Sequence, residues 1–194
     1  MEKINVVKIA GVCGILSLIV LFFSIQIAIF NSDWFKWTHH ALSDLGVDGL
    51  SAFIFNNGLI VTGIFALIFS IGLSKILKNK SGAYLLGAGS ISLIFVGLFP
   101  KTIFALHYIS SATFFLLIVI ALFIIGFTML RSHIDNKMGV IAIFLGILAC
   151  TSPIFLKVFS GIAIPEAIVV FPALFWCMLY GIKITFNEHM RKTL

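Results

Sequence analysis

The sequence predicts an all-α integral membrane protein: one domain over 1–194 built as a six-transmembrane-helix bundle, with both termini cytoplasmic and a short interfacial helix in the first outer loop. Three observations predict it. Of 194 residues, 61% are hydrophobic and 10% charged, with 21 phenylalanines, and the mean hydropathy is +1.19, whereas the apolar share of a water-soluble globule is nearer about half. The apolar residues fall in continuous runs rather than in short alternating segments, which excludes barrel strands and leaves helices to satisfy the backbone in lipid. The runs are also long enough, since about 30 Å of hydrocarbon at 1.5 Å per residue takes about 20 residues.

The first helix, at about 9–30, follows Glu2, Lys3 and Lys8. Its apolar run outlasts the roughly 7–15 residues of a signal-peptide core and lacks a small-residue cleavage site, so it reads as a retained span. The second, about 50–76, ends among Lys75, Lys78 and Lys80. The third, about 82–99, stops at Pro100-Lys101, where proline ends a helix and forces a turn. A fourth at about 102–130 ends at Arg131 in the loop RSHIDNK. The fifth occupies about 138–156, and the sixth about 165–186, with Pro172 inside it as a kink. Small residues at one-turn spacing (Ala142 and Gly146) or clustered (Gly82, Gly87 and Gly89) suit close helix packing in lipid.

Lysine and arginine accumulate on the cytoplasmic side of membrane proteins. With the N-terminus inside, that face takes Lys3, Lys8, Lys75, Lys78, Lys80, Arg131, Lys137, Lys183, Arg191 and Lys192, leaving Lys36, Lys101 and Lys157 outside. Topology thus accounts for the net charge of +6, and no nucleic-acid partner is expected. A re-entrant segment at 157–164 would not move the termini. Cys13, Cys150 and Cys177 each lie within an apolar run with no metal-ligand spacing and read as small hydrophobes.

Most residues able to carry chemistry then fall outside: Asp33, His39, His40, Asp44, Asp48, His107 and Glu166, against Glu2, His133, Asp135, Glu188 and His189 inside. The stretch WFKWTHHALSDLGVD at 34–48 is too specific in its polar residues to be explained by lipid alone. Trp34, Trp37, Ala41 and Leu45 recur every three or four residues, as on an amphipathic helix whose aromatic side lies among headgroups. On such a helix His40 and Asp44 share a face, as do His39 and Ser43, an arrangement that orients an imidazole as base or metal ligand. The bland alternative is an aromatic belt with solvated histidines and a Ser43-Asp44 turn cap. His107 falls about 10 Å into the fourth helix, a depth at which ionisable groups usually face a bundle interior or wet cavity. Ser110 and Ser111 share its side, and Asn56 and Asn57 enter the second helix at similar depth; a buried interhelical hydrogen bond is the competing account. Glu166, after Pro165 in the first turn of the last helix, fits simple helix-dipole stabilisation.

The runs TxxALSDLG at 38–46, Phe55-Asn56-Asn57-Gly58-Leu59, and GLFP at 97–100 followed by His107 resemble an uncharacterised family of archaeal and bacterial polytopic membrane proteins, catalogued as a domain of unknown function. That family is distantly similar to the Frag and DRAM group, which includes eukaryotic remodelling factors for lipid anchors. The resemblance covers nearly the whole chain and implies signature positions at Ser43, Asp44, Leu45, Gly46, Asn56, Gly58, Pro100 and His107. It does not regularly include His39 and His40.

These readings give a multi-pass protein of the cell membrane with a polar site under the first outer loop. Asp44 and His107 are the expected acid/base pair, and Ser43, Asn56, Ser110, Ser111 and Trp37 the expected contacts to a lipid headgroup in the outer leaflet. A second reading is a non-enzymatic subunit in which these residues lock the loop onto the bundle, with a membrane-protein partner or a second copy. A third, weaker reading is a small transporter or a metal or haem carrier using His39, His40 and His107. The residues name no cofactor.

Overall fold

A computed structural model describes the backbone over residues 2–187 and side chains from residue 6. The side chains of Glu2 and Lys3, and Glu188, His189, Arg191 and Lys192, lie outside what is described. Seven helices follow in order: α1 (Glu2–Phe30), α2 (Gly49–Leu73), α3 (Ser81–Leu98), α4 (Phe104–Ser132), α5 (Asn136–Cys150), α6 (Ser152–Phe155) and α7 (Ala163–Phe186). A 3-10 helix, Leu42–Gly46, lies between α1 and α2. Among the described residues six segments are long and apolar enough to cross a membrane, the fifth formed by α5 and α6 together over Asn136–Phe155. The architecture is therefore the expected all-α bundle of six spans.

The fifth span is broken where the sequence suggested one run over 138–156. The cause is local: Pro153 has no N–H to continue the ladder, so α5 closes at Cys150 and α6 restarts as a single turn with proline in its first positions. The chain over 157–162 then crosses the end of the bundle in turns, and α7 begins at Ala163. The expected amphipathic helix over 34–48 is confined to the 3-10 turn; turns occupy 33–39, held by Phe35 N–H to Ser32 O and His39 N–H to Lys36 O.

Each helix packs on its sequence neighbour, and α7 returns to α1 as well as to α5. The α1–α7 crossing is made close by Gly11 and Gly181: a Cβ on Gly11 would come to 2.8 Å from the Gly181 carbonyl oxygen. Such approach is how helices gain dispersion contacts when lipid supplies no hydrophobic driving force. Trp176 and Tyr180 stack at 5.2 Å in the buried centre, and Trp176 Nε1 donates to Met138 O on α5 at 3.0 Å. At the same end Asp135 caps α5 by accepting from Met138 N and pairs with Lys183 of α7. The loops after α1, α3 and α5 gather at the opposite end.

Candidate functional site

That opposite end is a lid of three loops stitched together. Gly161 N–H donates to Thr38 O and Ala163 N–H to His40 O, both at 2.9 Å, so two backbone stretches far apart in sequence pair as neighbouring strands do. Glycine at 161 is required by proximity, because a Cβ there would run into the backbone of His39 and His40. The 3-10 turn is fixed from three directions. Asn56 Nδ2 of α2 donates to Gly46 O at 2.9 Å. Glu166 Oε2 of α7 accepts the Leu42 N–H at 2.6 Å. Asp44 accepts the Ala41 N–H at 2.8 Å and pairs with Lys101. Leu45 is fully buried beneath. Burial alone would raise the Asp44 carboxyl, but the bonds from Lys101 and Ala41, with the charges of Lys101 and His40, outweigh it and hold it below its usual value.

Below the lid a cleft of about 540 Å³ opens between α4 on one side and α5, α6 and the start of α7 on the other. Its volume lies within the roughly 300–1,000 Å³ of small-molecule sites. Its chemistry is graded along its length. At the loop end it is lined by Ser43, Lys101, His107, Tyr108, Ser111, Ser152 and Glu166; further in, by Phe115, Leu116, Val119, Ala149, Cys150 and Val169. From Phe104 to Val119 the wall runs about 22 Å along α4, comparable with half the hydrocarbon core plus its headgroup layer. Phe104, Tyr108, Leu116, Leu156 and Ile162 on its rim are exposed, so it opens sideways, where lipid lies. Ser43, Ser111, Phe115 and Glu166 also line a small internal chamber of about 40 Å³ between α1, α2, α3 and α7.

Several polar groups in the cleft are not committed elsewhere. The Ser43 and Ser111 hydroxyls have no partner among the described residues. His107 Nδ1 lies 2.8 Å from Phe99 O; a carbonyl only accepts, so Nδ1 carries the proton there, and Nε2 is not used in that bond. Ser152 is engaged, donating to Pro165 O.

The sequence-predicted residues divide. His107, Ser43 and Ser111 come together in the cleft. Asp44 does not line it: Asp44 faces a shallow surface groove with Trp34, His40 and Asp48, so Asp44 and His107 have separate partners rather than each other. Asn56 serves as the clasp on Gly46, and Ser110 and Trp37 do not line the cleft; Trp37 packs edge-on against Phe35, at 5.7 Å, beside the core. His40 stacks on Phe35 and meets Trp34 edge-on, and its Nδ1 accepts from Lys36 N, while His39 bonds Thr38. Among the described residues no three His, Cys, Asp or Glu side chains converge to hold a metal. Glu166, expected as a helix-dipole carboxylate, and Lys101, expected as a topology marker, also line the cleft. The available signal for Glu166 was that it is the one carboxylate inside a long apolar run of α7.

Compared with known proteins, residues 14–183 match the sequence profile of a family described as "Protein of unknown function (DUF998)". No curated protein and no solved structure matches the chain.

Proposed function

The chain belongs to the DUF998 family, whose description names no activity, and on that footing we propose that this multi-pass membrane protein binds a phospholipid headgroup in the graded cleft between α4 and α6–α7. The observation that carries the reading is the cleft itself: polar and charged at the loop end only, apolar below, and open toward lipid. Lys101 offers an ammonium to the phosphate. Glu166 and the unpartnered hydroxyls of Ser43 and Ser111 offer acceptors and donors to the rest of the headgroup, and the Phe115–Val119 wall takes the upper acyl chain. By the lysine and arginine distribution this end faces the outer leaflet. Binding is favoured over an Asp44–His107 acid/base pair because the two side chains have separate partners, Lys101 and Phe99 O.

Cys150 supplies a native reporter, since it lines the cleft and is exposed while Cys13 and Cys177 are buried. In delipidated protein, a membrane-permeant maleimide is expected to label Cys150, and added phospholipid to protect it. Lys101→Gln or Ser111→Ala should weaken that protection several-fold while Asn57→Ala leaves it intact. Equal labelling with and without phospholipid would sink the proposal.

A second reading has its own support. Asp44–Lys101, Asn56–Gly46 and Glu166–Leu42 all fasten the lid, as expected of a non-enzymatic subunit presenting a rigid end to a membrane partner or a second copy. On that reading Asp44→Asn abolishes a complex seen in mild detergent, whereas Ser111→Ala does not.

A further inference from the structure

We infer that the end of the bundle remote from the lid holds a second lipid site, a groove between the α2–α3 turn and the last turns of α4 that binds the phosphate of an anionic phospholipid. The groove measures about 690 Å³. It is lined by Lys78, Asn79 and Ser81 at the α2–α3 turn and by Ile124, Phe127 and Arg131 of α4, so apolar and basic side chains share one groove. Phe127 is exposed, so the groove continues onto the lipid-facing surface of α4, where an acyl chain lies.

Charge identifies the occupant. Among the described residues the ion pairs are Lys101–Asp44 and Lys183–Asp135, so neither Lys78 nor Arg131 has a carboxylate. Asp135, the acid of this end among described side chains, is already engaged by Lys183 and Met138 N. The dipole of α4 accounts for a cation at Arg131, in its last turn. It does not account for Lys78 and Lys80 just before the N-terminus of α3, where positive charge is unfavourable. An anion between Lys78 and Arg131 removes that conflict. Basic pockets between transmembrane helices at a headgroup depth, with an apolar continuation, are suited to acidic lipid headgroups.

The test uses delipidated full-length protein in neutral detergent, titrated with phosphatidylglycerol or with phosphatidylcholine of the same chains and read by native mass spectrometry. Phosphatidylglycerol is expected to bind about tenfold more tightly. Lys78→Gln combined with Arg131→Gln should reduce that preference to nothing, while Asn57→Ala, which lines neither cleft, leaves it unchanged. Ser81→Asp provides a second variant: its carboxylate suits the first turn of α3, so the fold is kept, yet it repels the phosphate and should lower phosphatidylglycerol affinity without touching phosphatidylcholine. Equal binding of the two lipids, a preference surviving in the double variant, or full competition by inorganic phosphate alone would each overturn the inference.

Discussion

At the scale of residues, the carboxylates of the lid hold loops, and Asp44 shows the consequence for pH. Its folded carboxyl titrates below the unfolded one, so its contribution to stability is complete above the unfolded value of about 3.9 and is lost as the pH falls through the lower folded value. Wild type and Asp44→Asn in detergent should therefore differ by a constant amount in thermal midpoint at neutral pH, and the gap should close only below about pH 4. His107 illustrates how far a sequence carries. Its depth and its polar surroundings were legible from its distance to Pro100, but its partner, Phe99 O, was not, because the bond depends on how the α3–α4 turn folds back. Glu166 stands in the first turn of α7 as expected, but its reach to the first loop was not legible. Position in a first helical turn is local information, whereas its bond to Leu42 spans the chain and leaves no periodic trace.

At the scale of elements, the spans were legible because hydrophobic length is set by the bilayer and needs no tertiary knowledge. The interruption of the fifth span at Thr151 was not read, although Pro153 is in plain view, because one interrupted turn leaves the apolar length of the span intact. The first and last lid loops meet with no room to spare at Gly161. Gly161→Ala forces its Cβ against the backbone of His39 and His40, and overpacking of this kind costs about 1–3 kcal/mol. The expected result is a lower melting temperature in detergent together with faster proteolysis at 31–41, where the freed loop lies. An unchanged melting temperature would mean that the two loops separate readily.

At the scale of the whole molecule, the two ends differ in kind. One is a lid in which Lys101 is matched by Asp44; the other carries Lys75, Lys78, Lys80, Arg131, Lys137 and Lys183 against Asp135 among the described side chains. From the lysine and arginine distribution we propose that the second end faces the cytoplasm. Single cysteines introduced at Asn31 and at Asn79 in a cysteine-free background should react with an impermeant maleimide only at Asn31 in intact cells. The reverse pattern would invert the orientation and exchange the leaflets of both lipid sites.

Because α7 returns to α1, the six crossings form a closed circuit rather than an open row, and the seam of that circuit is the Gly11–Gly181 contact. Insertion into the bilayer proceeds from the amino end, so five crossings wait with one flank bare until the sixth arrives. Assembly is then gated by the last helix to be made, and a ribosome stalled before α7 should leave a chain that chaperones or proteases recognise. It also follows that joining the ends by a flexible linker and cutting the chain at the 133–134 turn should yield a permuted protein with the same packing, since the circuit has no preferred starting point.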